Sequence, residues 1–129
     1  MTSIFTNGAC DVYAQALSDI YGFRVLNLLN RTGMLLHAFC VDSEGYYVDA
    51  DGRHEGQEFL KPYIGERKHW KIVEYSGERL VPERYNDIYT EKNFALAHKL
   101  ASAYHCHQKH EIAEIEGSKN ADKRNEKSL

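Results

Sequence analysis

The sequence predicts a single small α+β domain, and three observations support this fold class. Apolar residues recur at helical spacing near residue 10 and again beyond residue 90. Between these two regions, short apolar or alternating segments follow one another with glycine-containing turns between them. The chain has 129 residues, 43% of them hydrophobic, which suits one core. We therefore expect a small antiparallel sheet packed against an N-terminal and a long C-terminal helix.

The first helix is expected over residues 9–21. Thr6 or Asn7 would cap its start, and Gly22 suits a left-handed cap at its end. Its buried stripe would consist of Val12, Tyr13, Ala16, Leu17 and Ile20. The cysteine at position 10 would then lie at the start of a helix.

Three strands are expected next, over residues 23–30, 34–42 and 46–51. The turn Ser43-Glu44-Gly45 would join the second and third into a hairpin. A short helix within residues 54–65 and a strand at 69–76 would follow. The second long helix begins at about residue 91.

The C-terminal end of the chain differs in composition from the rest. Residues 116–129 are charged, with almost no apolar side chain, and are expected to be disordered. We therefore assign residues 1–115 to one catalytic-like domain and residues 116–129 to a tail. No internal repeat is visible.

Composition limits the possible partners. The formal net charge is −3, so no general basic field would attract nucleic acid. No window approaches the roughly 18 apolar residues of a membrane span, and the N-terminal residues do not resemble a signal peptide. We expect a cytoplasmic protein with three free cysteines and no cofactor.

One set of residues indicates chemistry. Cys10 lies at a helix start, His37 in an apolar strand, and Asp49 and Asp51 on the next strand. Nucleophilic catalysis by cysteine needs a thiolate, a base that takes its proton, and a group that fixes the tautomer of that base. Backbone N–H groups at the helix start, with Asn7 as a side-chain helper, would stabilise an oxyanion.

The hairpin register decides whether these groups can meet. If Gly45 is left-handed in a three-residue loop, Asp42 pairs with Tyr46, so the numbers of paired residues add up to 88. His37 would then lie opposite Asp51 and diagonal to Asp49, with both carboxylates on the face of the imidazole. A two-residue loop would move both carboxylates to the other face.

Other candidate residues have plainer interpretations. Cys40 is expected to pack in the core. His54, Tyr47 and Trp70 could line the same pocket, although a surface position for His54 and sheet packing for the aromatic residues are the plainer alternatives. A histidine-rich group near the second helix raises the question of a metal, but its consecutive members would spread around a helix, so we expect no metal site. This group is His98, His105, Cys106, His107 and His110.

The stretches "NGACDVYAQAL" and "HAFCVDSEGYYVDADG" resemble the papain-like and transglutaminase-like Cys-His-Asp superfamily, in particular its small bacterial and phage members. The resemblance covers residues 7–54. It implies a papain-like or transglutaminase-like core, with Cys10 as nucleophile, His37 as base and acid, and Asp49 as orienting group. Asp51 is the alternate orienting acid. No glutamine precedes the cysteine where papain-type enzymes use one in the oxyanion hole.

The sequence therefore favours a cysteine-dependent acyl-transfer enzyme. Amide hydrolysis, deamidation and transglutamination of a protein or peptide share the same first step. A phage or bacterial effector that acts on a host protein would suit the small size. The alternative is a non-catalytic binding protein or inhibitor on the same scaffold, in which the three polar residues are buried packing. The oligomeric state stays open.

Overall fold

The computed structural model describes residues 3–104, except for the side chains of Ser3 and Asn7. The predicted tail, the end of the domain at residue 115, and most of the histidine-rich group lie outside these residues. The elements in chain order are α1 (Ser3–Asn7), α2 (Cys10–Tyr21), β1 (Arg24–Asn30), β2 (Leu35–Val41), β3 (Tyr47–Asp49), β4 (Gly52–His54), a 3-10 turn (Gln57–Leu60), α3 (Lys61–Ile64), β5 (Trp70–Glu74) and α4 (residues 91–104).

The strands form one five-stranded antiparallel sheet in the order β4-β3-β2-β1-β5. This confirms the α+β class with helices packed on an antiparallel sheet. β4 was not expected from the sequence, because residues 52–54 are too few to show a period. No helix within residues 3–104 is long and apolar enough to cross a bilayer.

Helix α2 occupies almost the predicted range and ends as expected. Gly22 is left-handed, with φ of 76°, and its N–H donates to the carbonyl of Ser18. The predicted cap at Thr6 or Asn7 is wrong, because both residues belong to α1. Ala9 holds the cap position without a side-chain hydrogen bond.

The hairpin of β2 and β3 has the predicted register. Cys40 pairs with Val48, and the N–H of Asp42 donates to the carbonyl of Tyr46 at 2.8 Å. Gly45 is left-handed, with φ of 87°, as the three-residue loop requires.

The third strand is shorter than predicted. β3 ends at Asp49, and the chain turns at Ala50 and Asp51 into β4. The cause is local: the Oδ1 atom of Asp49 accepts the N–H of Asp51 at 3.0 Å, a side-chain contact that favours a turn over a continued strand. Asp51 therefore does not lie opposite His37, and that part of the prediction is wrong.

The two faces of the sheet have different surroundings. On the first, called here the α2 face, Ala38, Cys40 and Val48 pack against α2 and α4. On the other, called here the aromatic face, Phe39 and Leu28 pack with side chains of the 3-10 turn and α3. This division follows from the period of two along a strand.

The segment between β5 and α4 is tied to α2 by polar contacts. The side chain of Gln15 donates to the carbonyl of Leu80 and accepts its N–H, at 3.0 and 2.7 Å. Arg79 forms a two-pronged pair with Asp19. Thr90 caps α4, because its Oγ1 atom accepts the N–H of Asn93 at 3.1 Å. The first two contacts tie α2 to the segment between β5 and α4.

Candidate active site

The sulfur of Cys10 takes the place of a backbone acceptor at the edge of the β2–β3 pairing. Its Sγ atom accepts the N–H of Ala38 at 3.3 Å. The N–H of Asp42 points toward β3. Because the N–H groups of alternate residues in a strand point the same way, the N–H of Ala38 also points toward β3. Its strand partner would be Ala50, but the chain has already turned there. The sulfur fills the gap.

The surroundings of Cys10 keep the thiol protonated at rest. Burial raises the pKa of the Cys10 thiol above its ordinary value, and the carboxylate of Asp11 acts in the same direction. The backbone N–H groups of Ala38, Asp11 and Cys10 itself oppose this rise without overcoming it. Cys10 is 8% exposed. As a nucleophile it would need a base to take its proton.

His37 is completely buried and fixed on one side only. Its Nε2 atom lies 2.9 Å from Oδ2 of Asp49. An ionised carboxylate can only accept, so Nε2 carries a proton, and in the neutral imidazole Nδ1 then keeps the lone pair. The Nδ1 atom has no hydrogen-bond partner among the described residues. A buried nitrogen left without a partner is costly, and such groups are often functional.

The aromatic face holds the imidazole in position. Tyr63 stacks on the ring of His37, with centroids 3.8 Å apart and planes 7° apart. Phe39 lies on the same face at 5.9 Å, and Phe59 meets the ring edge-on at 6.4 Å. These contacts leave the imidazole little freedom to rotate.

Cys10 and His37 flank one peptide unit. The imidazole points to the aromatic face, whereas α2 packs on the opposite face. The sulfur itself binds the N–H of Ala38, the residue that follows His37, at the gap where β3 leaves β2. No hydrogen bond joins the sulfur to Nδ1 in this structure. Any proton transfer between them would have to pass through this gap.

Asp49 uses both carboxylate oxygens. Oδ2 binds His37, while Oδ1 accepts from Nε2 of His54 at 2.9 Å and from the N–H of Asp51 at 3.0 Å. Burial acts to raise the pKa of Asp49, but the hydrogen bonds from His37 and His54 outweigh it, and the pKa lies below its ordinary value. The group is therefore ionised at neutral pH.

His54 and Tyr47 lie on the aromatic face beside this cluster. His54 stacks on Phe59, with centroids 4.2 Å apart, and Tyr47 lies 5.6 Å from Phe39. The sequence placed His54 near the pocket but did not predict its bond to Asp49. In the structure Ala50 and Asp51 form the two-residue loop of a second tight hairpin, in which His54 pairs with Tyr47. The usual Asp-Gly signal, read as a loop of Asp51 and Gly52, would have given a different register.

The remaining residues singled out in the sequence differ from one another in contacts and exposure. Asp51 is exposed, and its backbone N–H is the group that contacts Asp49. Trp70 is 39% exposed on β5, which β1 separates from β2. Asn7 ends α1, and its side chain lies outside the described part of the chain. Cys40 donates to the carbonyl of Ala14 at 3.2 Å, and burial raises its pKa to about 12.

Within residues 3–104, no group of three or more histidine, cysteine or acidic side chains could hold a metal ion. Of the histidine-rich group, His98 is the one member inside this range.

Comparisons with protein families, curated proteins and solved structures gave no match. The function must therefore be inferred from the site itself.

Proposed function

We propose that the protein is a cysteine-dependent acyl-transfer enzyme with Cys10 as nucleophile, His37 as general base and acid, and Asp49 as orienting group. One observation carries the proposal. Asp49 binds the Nε2 atom of His37, and the Nδ1 atom of His37 has no partner among the described residues. The next residue, Ala38, donates its N–H to the sulfur of Cys10. Such chemistry requires a base whose tautomer is fixed by a third group, and the pair of Asp49 and His37 supplies one.

The first half of the reaction forms a thioester. The Nδ1 atom of His37 takes the thiol proton while the sulfur attacks the carbonyl carbon of an amide, and the carbonyl oxygen becomes an oxyanion. When the tetrahedral intermediate collapses, the C–N bond breaks and the imidazolium gives its proton to the leaving nitrogen. Asp49 stabilises the imidazolium while it exists.

The start of α2 supplies donors for the oxyanion. The N–H groups of Val12 and Tyr13 already donate to the carbonyl of Ala9. Those of Cys10 and Asp11 come before them, near the sulfur, and point out of the helix start.

The second half of the reaction releases the acyl group. Water or an amine attacks the thioester carbon, His37 takes a proton from the attacking group, and the C–S bond breaks. The proton returns to the sulfur as the thiol is restored. Water gives hydrolysis or deamidation, and a lysine amine gives transglutamination.

Burial of the site favours a slender acyl donor. Cys10 is 8% exposed and His37 is not exposed at all. A glutamine or asparagine side chain carries its carboxamide on a flexible stem and could enter a narrow opening, whereas a main-chain peptide bond needs an open groove. We therefore favour a side-chain amide of a protein or peptide, which fits an effector that modifies a host protein in the cytoplasm.

The second candidate is a non-catalytic binding protein on the same scaffold. The raised pKa of Cys10, caused by burial, and the missing hydrogen bond between sulfur and imidazole favour it. In that case His37 and Asp49 are a buried polar pair that specifies the fold.

Alkylation by iodoacetamide distinguishes the two candidates. The rate at Cys10 is followed between pH 5 and 10 by peptide mass spectrometry, with Cys40 as an internal control. In the enzyme, His37 takes the thiol proton as the sulfur attacks, so at pH 7 Cys10 reacts about tenfold or more faster than in the His37 variants, although burial raises the pKa of the resting thiol. Cys40 stays unmodified while the protein is folded.

Two variants of His37 make the result specific. His37→Gln retains an amide N–H for Asp49 but cannot take a proton, and His37→Ala removes both functions. Both should slow the reaction of Cys10 at pH 7, because burial and the charge of Asp11 still raise the pKa of the thiol and no base remains to take its proton. Identical pH profiles in the wild type and His37→Gln would refute the enzyme and leave the binding protein.

A further inference from the structure

We infer that His54 is a positioning residue of the proposed site, which holds the second oxygen of Asp49 and so fixes the carboxylate that orients His37. This inference rests on the proposed function. It extends the arrangement to four side chains, from His54 through Asp49 and His37 to Cys10.

Asp49 lies between two imidazoles. The Nε2 atoms of His37 and His54 are each 2.9 Å from a different carboxylate oxygen. The N–H of Asp51 is a third donor, on the oxygen that His54 also binds. Three donors on two oxygens leave the carboxylate one favoured orientation. Without His54, the Oδ1 atom of Asp49 would keep a single donor, the backbone N–H of Asp51.

His54 is itself held rigidly. Its ring is parallel to that of Phe59, with planes 1° apart, and its side chain is 22% exposed. Phe59 also touches the edge of the His37 ring, so one phenyl group positions both imidazoles. Arg53, the cation next to it in the chain, pairs instead with Asp42 and Glu44. The carboxylate of Asp49 thus stays available to the histidines.

The effect on the reaction would pass through the orientation of His37. A base that takes a proton from sulfur must keep its lone pair aimed within narrow limits, and groups behind the base set that aim. A carboxylate free to rotate would hold the Nε2–H of His37 loosely. His54 therefore acts through Asp49 and His37 and need not touch the substrate.

Two variants separate hydrogen bonding from packing. His54→Phe retains a ring that can stack on Phe59 but has no donor. His54→Gln loses the ring but places an amide N–H close to the position of the Nε2 atom. If His54 acts by packing, His54→Gln should slow the alkylation of Cys10 more than His54→Phe does. If His54 acts by positioning Asp49, His54→Phe should slow it more.

The experiment measures the rate of iodoacetamide alkylation at Cys10 between pH 6 and 9 for each full-length variant. We expect His54→Phe to slow the reaction at pH 7 by about 5- to 30-fold, and His54→Gln to remain within about twofold of the wild type. Circular dichroism melting curves show whether each variant is folded. If His54→Phe does not fold, His54→Asn replaces it, because its shorter amide cannot reach Asp49 as Nε2 does.

The outcomes separate this inference from the proposed function. If His37→Gln is slow and His54→Phe reacts like the wild type, the function stands and the role of His54 is refuted. A result in which His54→Gln is slower than His54→Phe also refutes it. If His37→Gln reacts like the wild type, the proposed function fails and the inference fails with it.

Discussion

The two faces of the sheet are both buried, but they bury different kinds of side chain. On the α2 face the sheet contributes the small side chains Ala38, Cys40 and Val48, which pack against larger ones such as Leu17, and the thiol of Cys40 donates to the carbonyl of Ala14. The aromatic face buries His37 and Asp49, the two polar residues that are buried in the described chain. Both faces thus bury apolar side chains, but the buried polar pair lies on the aromatic face alone, and Cys10 lies at the edge where the faces meet.

The largest expected effect is on the α2 face. Leu17 is fully buried between α2 and the sheet. Leu17→Ala should lower the free energy of unfolding by about 2–5 kcal/mol, because it removes apolar contacts and leaves a cavity. Urea unfolding at pH 7 and at pH 4 should give the same loss. Leu96→Ala, at a partly exposed position of α4, is the control, with a loss below about 1 kcal/mol.

On the aromatic face, the loss of unfolding free energy caused by Asp49→Asn should depend on pH. Asp49→Asn removes a charged acceptor from two imidazoles and should cost about 1–3 kcal/mol of unfolding free energy at pH 7. The folded pKa of Asp49 is depressed because its hydrogen bonds outweigh burial, so this stability is present above the ordinary value of about 3.9 and disappears as the pH falls through the folded pKa.

Urea unfolding between pH 7 and pH 2.5 measures this loss. The difference between the wild type and Asp49→Asn should shrink as the pH falls. If it stays constant, as for Leu17→Ala, the two faces are held by the same kind of interaction, and the contrast between them is wrong.

The smallest expected effect lies where the two faces meet. Asp11→Asn should speed alkylation of Cys10 at pH 7 by about two- to fivefold, because burial and then the charge of Asp11 raise the pKa of the thiol. In Asp11 one carboxylate oxygen accepts the N–H of Val12 and the other accepts the hydroxyl of Tyr89. Asparagine keeps one oxygen as acceptor for Val12, and its amide N–H can donate to the oxygen of Tyr89 instead. Asp19→Asn, farther along α2, is the control and should change nothing. A slower reaction in Asp11→Asn would contradict this view of the site.

Sequence patterns predicted the parts of the fold that depend on neighbours along the chain. The register of the β2–β3 hairpin followed from the loop Ser43-Glu44-Gly45, because only a glycine fits its left-handed position easily. The end of α2 followed from Gly22 for the same reason. With the register came the pairing of His37 with Asp49, since side chains on alternate positions share a face.

The parts that sequence patterns missed depend on contacts between distant residues. Helix α1 is five residues long, too short for a period, and packs on α2 by tertiary contacts. The bond between His54 and Asp49 required the turn after Asp49, which its own side chain creates. The stacking of Tyr63 on His37 links a four-residue helix to a central strand, and no local pattern encodes that distance.

The hydrogen bond from Ala38 to the sulfur gives this protein a natural reporter. Its amide proton senses the charge of the acceptor directly, so its NMR chemical shift should follow the ionisation of Cys10 without any label on the thiol. A covalent inhibitor that caps the sulfur would take away the partner of that amide, so its exchange with solvent deuterium should accelerate while the neighbouring strand amides stay protected.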